Sequence, residues 1–188
     1  RTIWRNRNAP PPAPVPPGDL LMWILILSEL LVFGAGLAAF LAVRLGDPEG
    51  FAAAQAQLHR GLAGVNTLVL VTSGACAALA TRAAALSRKP VARLWLLAAG
   101  ALGAVFLGIK ATEFRDLAAL GFSTETHPFF TFYYLLTGFH AAHVAAGLPL
   151  FLIVSWRCWP AGVEMAAAFW HMVDLVWVLI LPVIYLLR

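Results

Sequence analysis

The 188 residues are 61% hydrophobic and only 12% charged, and 13 Lys and Arg against 9 Asp and Glu leave a formal net charge of +4. So little charge cannot clothe a water-soluble domain of this size, so the chain must face a largely apolar solvent. Nucleic acid is excluded as the reason for the positive balance, because the basic residues fall between apolar runs and form no compact face; a disulfide framework is excluded too, since the two cysteines are Cys76, inside an apolar run, and Cys158, just beyond another.

Residues 1–18 carry Arg1, Arg5 and Arg7 and then the proline-rich stretch from Pro10 to Pro17. They read as a solvated, extended arm, followed by a transmembrane domain over 19–188. The sequence opens on Arg1 and not on methionine, which leaves room for residues ahead of it. The run after Asp19 is too long for a signal peptide and contains Glu29.

Five runs match the roughly 20 residues that a helix needs to cross a bilayer core: 20–43, 62–86, 94–114, 129–156 and 165–187. Backbone polar groups in lipid must be bonded within the segment, so the predicted fold is all-α, an integral bundle of five transmembrane helices. Arg1, Arg5, Arg7, Arg82, Arg88, Lys89, Arg93 and Arg157 fall on one side, against Arg44, Arg60, Arg115 and Arg188 on the other. The excess places the N-terminus in the cytoplasm and the C-terminus in the periplasm.

Between the first two runs, Asp47-Pro48-Glu49 is a helix start, with a cap, a first-turn proline and an acid near the dipole. A short interfacial helix is predicted over 49–59, with Gly61 as its stop. Gly100, Ala104 and Gly108 recur every four residues, as do Gly138, Ala142 and Ala146, a spacing that lets helices approach closely. Pro149 and Pro182 are expected to bend the last two helices.

An ionised group at mid-bilayer costs about 2.5–3.5 kcal/mol on insertion scales, so each intramembrane polar residue needs a partner. Glu29 lies near the middle of the first helix. Asn66 lies on the second with Thr67, Thr72 and Ser73. His140 and His143 share a face of the fourth, and His171 and Asp174 are spaced alike on the fifth. Glu29 is expected either to be protonated or to pair with His143 or His171. Lys110 is expected to snorkel toward the periplasm and pair with Glu113. The two helix-four histidines read first as helix-packing groups. Haem or metal ligation, with His171 completing a pair, and a proton or lipid role are the alternatives. His59 and His127 fall in loops, and no nucleophile elbow, phosphate-binding glycine loop or zinc CxxC pattern occurs.

Five segments together resemble subunit III of cytochrome c oxidase: ILSELLVFGAG (26–36), NTLVLVTSG (66–74), LGIKATEF (107–114), TGFHAAHVAAG (137–147) and FWHMVDLVW (169–177). The resemblance maps the family's intramembrane glutamate onto Glu29, and its HxxH and WHxxD positions onto His140, His143, Trp170, His171 and Asp174. Lys110 departs from the glutamine often found there. Larger members have seven helices in two groups around a phospholipid cleft, and the resemblance implies a chain without the first two. PGDLLMW at 17–23 and the segment 50–74 are similar to the short, NorE-like branch associated with nitric oxide reductases. The resemblance implies an accessory, non-catalytic subunit of a haem–copper complex in the bacterial inner membrane. Such a subunit stabilises a haem-containing catalytic partner, organises phospholipid and supports proton uptake. It binds no cofactor itself; haem, with copper or non-haem iron, belongs to the partner. An independent membrane haem or metal redox protein, and a small proton channel or transporter, are the rival readings.

Overall fold

A computed structural model describes residues 20–187; the predicted arm over 1–18, Asp19 and Arg188 lie outside the described residues. The described chain is helical: α1 (Leu20–Arg44), α2 (Pro48–Gln55), α3 (Arg60–Ala85), α4 (Lys89–Ala119), α5 (Pro128–Arg157) and α6 (Pro160–Leu181), with a π-helical turn over Pro182–Leu186. Five of these helices, all but α2, are long and apolar enough to cross a membrane.

Helix ends follow caps and prolines, whereas the predicted spans followed apolarity. Helix α4 runs from Lys89, with Pro90 in its first turn, to Ala119, past both predicted limits. Helix α6 starts at Pro160, five residues before the predicted 165. Proline is pre-set for these positions, where its missing N–H costs nothing. The interfacial helix is shorter than predicted. Asp47 accepts from the Gly50 N–H at 3.0 Å and opens α2, which ends at Gln55. Gly61 is not its stop but lies in the first turn of α3. Pro149 lies within α5, and Pro182 stands where α6 passes into its π turn.

Helices α3, α4, α5 and α6 close a ring in which each packs on two neighbours, and α1 leans on the outside against α5 and α6. Helices α3 and α4, which pack most extensively on each other, carry many buried alanines, including Ala77, Ala80 and Ala84 on α3 and Ala92 and Ala99 on α4. Small side chains let two backbones approach, which drives helix association in lipid. The two predicted small-residue stripes do not do this. Ala104, Gly108, Ala142 and Ala146 are exposed, and Gly100 and Gly138 only half-buried. The close approaches fall one helical face away. A Cβ at Gly103 would lie 2.6 Å from the Trp170 ring, and one at Gly147 would collide with the same indole.

Helix α1 is buried most deeply in its second half. Phe33, Leu37 and Phe40, at spacings of four and three, are buried, while Leu20, Ile24, Leu27 and Leu31 are exposed. At the other end of the ring, Arg93 donates to the carbonyls of Ser155 and Trp156, both at 2.9 Å. These belong to the last turn of α5, whose carbonyls lack helical partners. Cys158, at φ 47°, then ends that helix in the left-handed region.

Candidate functional site

The deepest polar cluster centres on Lys110. Its Nζ lies 2.9 Å from Glu113 Oε2 and donates to Tyr133 Oη at 3.2 Å and to the Tyr185 hydroxyl. The Tyr185 hydroxyl in turn donates to Glu113 Oε1 at 2.9 Å, closing a loop of three groups. Rings of Phe114, Tyr133, Trp177 and Tyr185 surround the ammonium, with centroids 4.8–5.2 Å away. Lys110 is 1% exposed and Glu113 2% exposed. The pairing with Glu113 is as the spacing suggested, but Lys110 does not snorkel. Its ammonium is turned inward, onto Glu113, Tyr133 and Tyr185. Burying an ion pair repays its desolvation only when every remaining donor and acceptor is used; here all three ammonium protons and both carboxylate oxygens are engaged. The cluster ties α4 to α5 and to the π turn.

A second cluster runs across the ring. Trp170 is fully buried, and its indole N–H donates to Ser73 Oγ at 3.0 Å; the Ser73 hydroxyl donates to the Ala99 carbonyl at 2.7 Å. One indole and one hydroxyl thus join α6, α3 and α4. The Trp177 N–H donates to Thr67 Oγ1 at 2.9 Å. Asn66 donates to the Phe106 carbonyl at 3.4 Å. His140 is 0% exposed and packs against the rings of Phe106 (5.5 Å), Trp177 (5.1 Å) and Phe33 (6.5 Å).

The third group lies toward α1. Glu29 Oε2 stands 3.2 Å from His143 Nε2, off-line for a hydrogen bond, with both side chains partly exposed. Of the partners expected for Glu29, the structure brings up His143. His143 Nδ1 lies 2.9 Å from the Phe139 carbonyl, an acceptor only, so Nδ1 carries a hydrogen. Nε2 then turns a lone pair toward the Glu29 carboxyl, and one proton between the two groups makes the contact attractive. His171 Nδ1 is 3.9 Å from Asp174 Oδ2, and Asp174 packs against Gly74 of α3, where a Cβ would strike that carboxylate.

The seven polar residues singled out from sequence therefore divide. Asn66, His140 and Trp170 sit inside the ring; Glu29 and His143 meet between α1 and α5; His171 and Asp174 face each other on α6. Lys110, Glu113, Tyr133, Tyr185 and Ser73 are buried as well. Tyrosines and serine in apolar helices give no signal until the neighbouring helix is known. Among the described residues no group of three or more His, Cys, Asp or Glu stands together. His140 is walled by aromatic rings and His143 is turned to Phe139 and Glu29, so the histidines do not form a common donor set.

Outside the ring, Asp47 also accepts from His127 Nε2 at 3.2 Å. The Gly50 N–H and then His127 hold its carboxyl below the ordinary carboxylate range.

This is the architecture of a multi-pass membrane subunit whose polar groups are used mostly to bind its helices together. The family model for cytochrome c oxidase subunit III matches residues 19–187, and the chain belongs to that family. It is 32% identical to cytochrome c oxidase subunit 3 of Thermostichus vulcanus, over 87% of this chain and 84% of the relative. It is 28% identical to cytochrome bo(3) ubiquinol oxidase subunit 3 of Pseudomonas aeruginosa, over 88% and 82%. It is 31% identical to a probable cytochrome c oxidase subunit 3 of Mycobacterium tuberculosis, over 88% and 86%. Members of this family are accessory, non-catalytic subunits that associate with the haem-containing catalytic subunits of haem–copper oxidases.

Proposed function

We propose that this chain is the non-catalytic third subunit of an oxygen-reducing haem–copper complex in a bacterial inner membrane. It docks beside the haem-bearing subunit, stabilises it and organises phospholipid next to it. The observation that carries the reading is the joint one of family and polar economy. Over residues 19–187 the chain matches subunit III, and its most buried charges, Lys110 and Glu113, are spent on each other and on two tyrosines. Haem chemistry then belongs to the partner. The arm over 1–18 lies in the cytoplasm and α2 on the periplasmic side, as the arginine and lysine distribution argues.

Isolation in mild detergent tests this. The expected result is co-purification with a larger membrane subunit that carries the visible haem spectrum, while the separated chain is colourless. A stable lone monomer that never retains such a partner overturns it. A nitric oxide reductase partner is the second reading, favoured by the PGDLLMW start and the segment over 50–74. Chain length does not favour it, because the oxidase relatives above are of comparable length. Which of the two gases the purified complex reduces separates the readings.

A further inference from the structure

His127 joins two helices through its two ring nitrogens, and the two bonds fix where its proton lies. The Phe129 backbone N–H donates to Nδ1 at 3.1 Å, capping the N-terminus of α5. Nδ1 must therefore offer a lone pair, and the ring hydrogen sits on Nε2. Nε2–H in turn donates to Asp47 Oδ2 at 3.2 Å, the carboxylate whose other oxygen caps α2. One neutral imidazole thus caps α5 directly and ties it to the cap of α2. The ring also packs on Phe51 of α2, with centroids 5.2 Å apart.

A second proton cannot be added without breaking one of these bonds. The imidazolium donates from both nitrogens, so Nδ1–H would point at the Phe129 N–H, donor against donor. The Nε2 bond to Asp47 would become charge-assisted and stronger. Asp47 is the charged group facing the ring from the α1–α2 turn. Among the described residues, Glu49 on α2, Glu125 in the α4–α5 connection, and Arg115 and Asp116 near the end of α4 form no ion pair with it. Arg44 at the end of α1 gives its guanidinium to the Leu187 carbonyl.

We propose that His127 is a proton-operated joint: neutral, it caps α5 and fastens it to α2; protonated, it lets go of the α5 N-terminus and grips Asp47 alone. Imidazole is the side chain whose charge ordinarily changes between pH 5 and 8, so the joint responds to acidification of the compartment that α2 faces. Helix α2 is held independently, by Gln55 donating to the Ile184 carbonyl at 2.9 Å and by Phe51 against Phe40 and Phe129. Release is therefore local to the first turn of α5.

The test uses the full chain in detergent micelles, with hydrogen-exchange protection factors corrected for intrinsic pH dependence. Between pH 8 and pH 5 the Phe129 amide should lose protection by roughly five- to tenfold, the scale of a lost helix cap, while the Gly50 amide keeps its own. His127→Asn supplies a capping oxygen that does not titrate, and should flatten the response at Phe129. An unchanged pH response in His127→Asn, or no response in the unsubstituted chain, overturns the proposal. Nitrogen-15 shifts of the unsubstituted ring give a reading that needs no variant. At pH 8 the hydrogen should be on Nε2, and the opposite tautomer also overturns it.

Discussion

The ring of α3 to α6 and the appended helix α1 handle intramembrane charge in opposite ways. Inside the ring, Lys110 and Glu113 are almost fully buried, and every proton and lone pair that matters is met by a tyrosine or by the other charge. Beside α1, Glu29 and His143 approach to 3.2 Å without a hydrogen bond and remain partly exposed. The difference follows from packing. Four mutually packed helices leave a buried charge no alternative to an internal partner, and an unmet one would cost several kcal/mol. Helix α1 buries side chains fully only in its second half, at Phe33, Leu37 and Phe40, so Glu29 keeps partial access to its surroundings and tolerates a loose pairing.

The largest expected effect breaks the ring side. Lys110→Met should leave Glu113 buried without its counter-charge and cost about 3–5 kcal/mol, measured by reversible unfolding in mixed micelles. Replacing both, Lys110→Met with Glu113→Leu, should recover most of the loss. A double variant as unstable as the single one would show that the ion pair is not what the tyrosines are organised around.

A glycine pair sharpens the contrast next. Gly147→Ala pushes a methyl into the Trp170 indole and should cost about 1–3 kcal/mol by overpacking. Gly34→Ala on α1 meets nothing within 4 Å and should be neutral or stabilise by about 0.5–1 kcal/mol, as alanine does in an exposed helix. Equal melting of the two variants would contradict the packing of Trp170 described above.

Smaller still is Glu29→Ala. Interhelical polar contacts in membranes average about 0.6 kcal/mol, and this one is not a formed hydrogen bond, so the change in stability should not exceed that. The haem spectrum of the assembled complex should be unchanged, and a lost haem band would give Glu29 a role in the partner's site.

The mildest effect lies outside the bundle. Asp47 is held below its ordinary pKa by the Gly50 N–H and His127. Its capping contribution to α2 is therefore fully present above the unfolded Asp value, near about 3.9, and is lost as pH falls through the lower folded value. Protection of the Gly50 amide should follow that course, and Asp47→Asn should remove the acid dependence.

Hydropathy made the five crossings legible, because backbone hydrogen bonding in lipid admits only helices for runs of this length and composition. The Asp47 cap was legible too, being a local bond between residues three apart. Which side of a helix faces inward was not. The alanine and glycine stripes at Gly100, Ala104 and Gly108 and at Gly138, Ala142 and Ala146 have the right period yet lie largely outward, while Gly103 and Gly147 receive Trp170. Nor does an apolar run that ends at 114 show which way Lys110 turns: its side chain points inward to Tyr133 and Tyr185, 23 and 75 residues away in the chain.

The sequence by itself determined the solvent, the helical class, the number of crossings and the subunit III family, because these depend on composition and on local or linear pattern. Only the tertiary structure decided that Lys110, Glu113, Tyr133 and Tyr185 form one closed cluster, that Ser73 serves Trp170, and that Glu29 meets His143. Those contacts join residues far apart in the chain, and helical period alone does not fix the rotation of one helix against another when every face is apolar.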